Sequence, residues 1–271
     1  EGPIWVKEGN YLLFSDVPQN TVFKWSAKEG LSIFLKPSGF TGAGNYGDEP
    51  GSNGLTRDRQ GRLISAEHGD RRISAMPLAN GGKRTIADNY QGKRFNSPND
   101  VVQHSGGAYY FTDPPYGLEK NMDDTLKELP YQGVYLVKKT GEVKLLVDSI
   151  TRPNGICFLP GEKTLLIANS DNEKPTWYAF DIADNDSLVN ARIFYDDAKA
   201  RADKGGGDGM KVDKNGNVFA TGPGGIWIFN SSAKLLGKIN LPGRSSNVAL
   251  TANEKTLFIT ADDYVLRVKM R

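Results

Sequence analysis

Six polar residues, Glu1, Asn53, Asn99, Asn154, Asp208 and Asn247, each stand at the head of a short apolar run. Each run turns on Gly, Asn or Pro and returns through a second apolar run to a small or polar residue 14 or 15 positions later, as from Glu1 to Asp16 or from Asn99 to Asp113. Two carboxylates (Glu1 and Asp208) and several amide oxygens (Asn99 and Asn154 foremost) form an all-oxygen set carrying about two negative charges. Such a set suits a hard divalent cation, with calcium first and magnesium or manganese next. Structural zinc is poorly served, because the chain has one Cys and two His. The competing reading is local: Asn-Gly and Asp-Gly are common turn dipeptides. Six polar heads in register favour a shared lining, with Asn53 and Asn247 closer to the turn reading.

The heads are 52, 46, 55, 54 and 39 residues apart by subtraction. A third apolar run follows every pair ("VFKW", "RISAM", "VYLV", "WYAF", "IWIF", "VLRV"), and a fourth follows in five ("SIFL", "TIA", "VKLLV", "RIFY", "LLGKI"). Four antiparallel strands per repeat of roughly 45 residues is the pattern of a β-propeller. The expectation is therefore an all-β fold: one six-bladed β-propeller domain over residues 1–271, with four strands per blade. The last blade lacks a strand, which residues preceding Glu1 are expected to supply. In a propeller the first strands line the central channel and run the same way, so the six heads should ring one mouth. Asp16, Glu67, Asp113, Asn169 and Asp262 should return to that mouth one layer out.

Composition narrows the function. Lys+Arg 34 against Asp+Glu 32 leaves a net charge of +2, with no dense basic run interleaved with aromatics, so nucleic acid is not expected as a partner. No apolar run approaches the roughly 20 residues that span a bilayer, so no membrane association is expected. The lone Cys157, between Ile156 and Phe158, reads as a buried thiol and leaves cytoplasm and periplasm both open. Oligomeric state is open as well. "GAGNYG" at 42–47 matches a dinucleotide-loop string but lacks the strand before and helix after, and no GxSxG elbow occurs. The glycines of "GGGDGM" fit close backbone approach at Asp208 better than phosphate binding. His104 lies in a hairpin turn and is expected to be solvated. His68, after Glu67, is either a substrate contact or proton shuttle or a structural histidine. The charged segment 117–133 is either a lid or a surface excursion.

The motifs "EGPIW", "GRLISAEHGDRRI", "NSPNDVV", "YFTDPPYGL", "RPNGICF" and "GDGMKVDKNGNV" resemble the senescence-marker-protein, gluconolactonase and luciferin-regenerating-enzyme family, in its bacterial gluconolactonase branch. The resemblance implies a six-bladed propeller with one divalent metal in its channel, held by Glu1, Asn154 and Asp208, with Asn99 as a fourth ligand or a substrate contact. It implies a sugar lactone as the small-molecule substrate and calcium as the first candidate metal, with magnesium, manganese and zinc behind it. The cation would polarise the lactone carbonyl. Asp208 is the favoured general base, with Glu67, His68 or Asp113 as alternates, and Asn99 beside it in the catalytic set. Some members carry an arginine where this chain has Ser97 and a glutamate where it has Gly117. Substrate contacts are accordingly sought among Glu67, His68, Asp113, Arg94 and Tyr116, with Arg72 as a further candidate. A calcium-dependent phosphoesterase and a non-catalytic metal-binding propeller are the rival readings.

Overall fold

The computed structural model describes residues 1–44, 46–79, 81–171, 173–196 and 206–270. Asn45 of the "GAGNYG" string and Gly205 of "GGGDGM" lie outside the described residues. The chain is an all-β, six-bladed propeller of small antiparallel sheets. Its one described helical turn is the 3-10 segment Asn121–Asp123. No helix among the described residues is long and apolar enough to cross a membrane. The blades fall into two compact units, Glu1–Ser149 and Ile150–Arg271.

Unit 1 holds three four-stranded blades. The first comprises Ile4–Val6, Tyr11–Asp16, Thr21–Ser26 and Gly30–Leu35; the second Ser52–Arg57, Leu63–Glu67, Arg72–Met76 and Arg84–Ala87. The third comprises Val101–Gln103, Tyr109–Asp113, Gly133–Val137 and Val143–Val147. A small hairpin, Asn89–Tyr90 with Lys93–Arg94, follows the second blade and has no counterpart among the described residues. Unit 2 holds Pro153–Phe158, Thr164–Asn169, Thr176–Ile182 and Leu188–Asp196 as one blade, and Met210–Val212, Val218–Gly222, Gly225–Phe229 and Leu235–Asn240 as the next. Its last blade has three described strands, Ser245–Leu250, Thr256–Ala261 and Tyr264–Lys269.

The strands form because alternating Val, Ile, Leu and aromatic residues fit a pleated surface, and the hairpins between them close on specific side chains. In "DRQGR", Asp58 Oδ1 accepts the Gln60 and Arg62 N–H groups at 2.9 and 2.8 Å. In "DKNGN", Asp213 Oδ1 does the same for Asn215 and Asn217, at 2.9 and 2.7 Å, with Gly216 at φ 84°. The blades cohere face to face. Ile64, Ile73, Phe95, Val101, Phe111 and Tyr135 build the core of the second and third blades; Leu166, Trp177, Trp227 and Phe229 build that of the fourth and fifth, where Cys157 is buried. Each such side chain withdrawn from water contributes about 1.5–3 kcal/mol, so these cores hold neighbouring blades together within each unit.

Candidate active site

In unit 1 the strand heads follow one another in tight backbone contact. A side chain on Gly2 would overlap the Asn53 carbonyl oxygen, and one on Gly54 would meet Asp100 Oδ1 at 2.5 Å and the Asn99 carbonyl at 2.6 Å. The Gly54 N–H donates to that Asn99 oxygen at 2.6 Å. Unit 2 repeats the device: a Cβ on Gly155 would overlap the Asp208 carbonyl, one on Gly209 the Asn247 amide, and Gly209 N–H donates to Ser246 O at 2.7 Å. The turn reading of these dipeptides therefore fails. Asn53-Gly54 and Asn154-Gly155 lie inside strands, and glycine is required because the neighbouring blade's first strand passes where a Cβ would stand.

Glu1 is tied to the second strand of its blade by paired backbone hydrogen bonds with Ser15, both 2.8 Å. Its Oε2 is buried and has no hydrogen-bond partner among the described residues. Burial pushes its carboxyl above the usual range; the chain's amino terminus and His68 oppose that shift, and Glu49 and Asp100 reinforce it. Glu1, Glu49, His68 and Asp100 thus share one electrostatic neighbourhood in unit 1. Asp100 is buried, its Oδ1 accepting the Val101 N–H at 2.9 Å. His68 is fully buried, with Nδ1 3.3 Å from Glu49 Oε2 and without the alignment of a formed hydrogen bond; Nε2 has no hydrogen-bond partner among the described residues. Neither Glu49 nor Asp100 carries a signal in the repeat. Asp100 is legible only as the neighbour of Asn99, and Glu49 sits in an irregular loop where no periodicity applies.

Asn99 is buried, donating from its backbone to Thr112 O at 2.8 Å. In unit 2, Asn154 is buried and Asp208 half-buried, its N–H donating to Thr221 Oγ1 at 2.8 Å. Among the described residues no three His, Cys, Asp or Glu side chains gather into a metal-holding group. The expected ligand set draws half its donors from asparagine amides, which such a grouping does not include. The chemistry still fits a hard cation on the unit 1 side: a buried carboxylate oxygen without a donor is costly unless something positive meets it.

Three of the residues that close a hairpin share a structural task. Asp113, fully buried, accepts the Asn96 and Ser97 N–H groups, both at 2.8 Å, and burial pushes its carboxyl up to about 7 against the pull of those two donors. Asn169 Oδ1 accepts the Arg152 N–H at 2.9 Å and Asp262 Oδ2 the Arg244 N–H at 3.0 Å. Each brackets the segment leading into its own blade's first strand. Glu67 is also fully buried, but its oxygens take Arg72 Nε at 2.7 Å, Ser74 Oγ and Lys83 Nζ. Asp16 only caps a turn, accepting Gln19 N–H at 3.1 Å.

Arg94 is exposed and donates to Asp70 O at 2.8 Å, while Tyr116 is half-buried. His104 is half-buried in its turn, where Nδ1 accepts the Gly106 N–H at 2.9 Å. The 117–133 segment is fastened along its length. Leu118 and Leu129 are buried, Gly117 N–H donates to Ser97 Oγ at 2.9 Å, and Arg94 N–H donates to Glu128 Oε2 at 2.8 Å. Buried Arg71 clamps it, donating from Nε to Phe95 O at 2.6 Å and from a terminal nitrogen to Leu126 O at 2.9 Å.

The model of the SMP-30/gluconolactonase/LRE-like region matches residues 1–263. A gluconolactonase of Zymomonas mobilis is 41% identical across the whole chain and 78% of its own length. Among solved structures, a gluconolactonase from Xanthomonas campestris superposes with a TM-score of 0.85 at 29% identity, covering 100% of this chain and 86% of that one. A calcium-binding regucalcin from Agrobacterium tumefaciens shares the fold alone, with a TM-score of 0.73 at 18% identity over 96% of this chain and 80% of that one.

Proposed function

Because the chain belongs to the SMP-30/gluconolactonase/LRE-like family, we propose that it opens a sugar lactone such as gluconolactone by metal-assisted hydrolysis. The observation that carries the metal half of this reading is the Glu1 carboxylate, buried, with Oε2 lacking any donor among the described residues. Glu1, Asn154 and Asp208, with Asn99 as a fourth, would hold one divalent cation, calcium first. Bound there, the cation would supply Lewis acidity to the lactone carbonyl oxygen.

The chain's own residues do the rest. Asp208, half-buried at its strand head, takes the proton of the attacking water as that oxygen bonds to the carbonyl carbon. The ring C–O bond then breaks, and the proton passes to the departing alkoxide, giving the hydroxy acid. Asn99 holds the water or the substrate. His68, Arg94 and Tyr116 are the proposed substrate contacts. Glu67 and Asp113 act as supports: Glu67 is held by three donors, and Asp113 holds the Asn96 and Ser97 N–H groups.

The test is hydrolysis of a lactone panel, including gluconolactone and xylonolactone, by metal-stripped protein with and without added calcium, magnesium, manganese or zinc, alongside Asp208→Ala. Turnover restored by one cation and lost in Asp208→Ala supports the reading. Metal binding without turnover on any lactone would replace it with phosphoester hydrolysis or a non-catalytic metal-binding propeller, which a phosphoester panel separates.

A further inference from the structure

The lactonase reading makes His68 a substrate contact and leaves Glu49, the carboxylate beside it, without a task. His68 is fully buried, and neither ring nitrogen makes an aligned hydrogen bond with a described residue. A buried imidazole with both nitrogens unmatched is costly, and such groups in a native fold call for a ligand or a poised partner. The partner is beside it. Glu49 Oε2 lies 3.3 Å from Nδ1, and the Glu49 side chain keeps 41% of its exposure, so this carboxylate is wet on one side and faces a dry ring on the other.

The ring is otherwise fixed. The His68 N–H donates to Gly51 O at 3.1 Å, Tyr46 Oη donates to the His68 carbonyl at 3.4 Å, and Gly117 leaves no room beside the ring, since a Cβ there would come 2.5 Å from His68 Cβ and 2.8 Å from Cγ. The main chain is thus pinned and one flank of the ring closed, with Nδ1 toward Glu49. In ligand-free sites, hydrogen bonds of working groups are often long or misaligned and tighten when substrate arrives.

We propose that Glu49 is a positioning residue for substrate recognition: it holds a His68 proton on Nδ1, leaving Nε2 as the acceptor for a hydroxyl group of the lactone. The inference rests on the lactonase reading for the identity of the ligand, and on the geometry alone for the tautomer. An acceptor fixed in this way selects hydroxylated lactones over unsubstituted ones, because a lactone without the hydroxyl leaves the buried nitrogen unmatched. A free imidazole in water favours the proton on Nε2, so the Glu49-held state is distinguishable from an undirected ring.

Two measurements decide it. With only two histidines in the chain, His104→Gln leaves a single imidazole, whose tautomer is read by long-range nitrogen-15 NMR in the metal-free and calcium-loaded protein. The expected result is the Nδ1–H form, lost in Glu49→Ala and at least partly kept in Glu49→Gln, whose amide oxygen can still accept. An Nε2–H form in the parent, or one unchanged in Glu49→Ala, overturns the proposal whether or not any lactone is opened. Second, kcat/KM is compared on gluconolactone and on δ-valerolactone, which has no hydroxyl groups. Glu49→Ala is expected to lower the value on gluconolactone by about tenfold or more, the size of effect typical of an orienting partner, and to leave δ-valerolactone unchanged. Equal loss on both substrates, or no loss on gluconolactone, overturns it. Protein inactive on every lactone removes the lactonase reading, and the tautomer measurement still decides the geometry. Glu49 lies on a half-exposed loop, and thermal unfolding of each variant separates a folding defect from these outcomes.

Discussion

Ser97 Oγ accepts the Gly117 N–H at 2.9 Å and donates to Pro114 O at 2.6 Å, and a Cβ on Gly117 would stand 2.8 Å from Ser97 Cβ. These are the two positions at which the chain departs from the arginine and glutamate of the family pattern. The two positions touch in this chain: a short hydroxyl bonded to backbone stands at one, and at the other the Gly117 main chain packs against His68. Gly117→Ala tests this packing. The new methyl meets His68 and Ser97 at their Cβ atoms, which cannot swing away, so the expected cost is about 1–3 kcal/mol of stability with a rise in KM. Denaturant unfolding and lactone kinetics measure both.

Asp113 carries a pH dependence of definite sign. Its folded carboxyl is raised from 3.8 to about 7 by burial. Between those values the folded chain keeps a proton that the unfolded chain has released, so stability falls as pH rises through this window and levels off above about 7. Asp113→Asn should flatten that part of the profile in metal-free protein. It should also cost about 1–3 kcal/mol, because an amide can accept only one of the two N–H groups that the carboxylate now takes. Urea unfolding from pH 4 to 8 gives both numbers.

Glu67 separates a scaffold role from a substrate role. Its carboxylate is shared by Arg72, Ser74 and Lys83, and Lys83 also donates to Ser38 O. Burial pushes the Lys83 ammonium below its ordinary range, so removing the carboxylate leaves a poorly solvated cation. Glu67→Ala should destabilise by about 3–5 kcal/mol while the protein that does fold keeps its KM. A changed KM at unchanged stability would return Glu67 to the substrate contacts.

The glycines behind the strand heads should be intolerant in a position-specific way. Gly155→Ala puts a methyl into the Asp208 carbonyl, backbone against backbone, whereas Gly82 and Gly237 have nothing within 4 Å of a built Cβ. Gly155→Ala is expected to lose more than about 3 kcal/mol or fail to fold. Gly237→Ala should stay within about 1 kcal/mol of the parent. Melting temperatures of the purified variants compare them.

Metal binding provides a check on the Glu1 site that is independent of catalysis. Glu1→Gln keeps the shape and removes the charge, so calcium affinity by calorimetry should fall by at least about tenfold to a hundredfold, a loss that even supporting residues of metal sites can cause. Excess chelator should lower the melting temperature of the parent, because a ligand bound only by the folded state stabilises it, and should leave that of Glu1→Gln almost unchanged.

Much of the fold was legible in the sequence because a blade is a local object. Its hairpins close within 14 or 15 residues, their strands alternate, and Asp58 and Asp213 brace their turns from two and four residues away. The polar heads were legible for the same reason, since a repeated position shows its type six times. The tasks of the residues were less so. Asp113 and Asn169 look like pocket lining by spacing, yet their oxygens hold the N–H groups of Asn96, Ser97 and Arg152, an arrangement set by which way a side chain turns and not by its place along the strand.

The all-β class, the six repeats and the polar heads follow from the order of residues alone, because alternation and spacing are properties of the chain read in order. Why Gly54 and Gly155 must be glycine, why Glu67 is held by donors, and that Glu49 stands against His68 emerge only once the chain is folded. Those facts depend on segments far apart in sequence meeting at van der Waals distance, where a single methyl or an unmatched charge is decisive, and no periodicity in the chain records such a meeting.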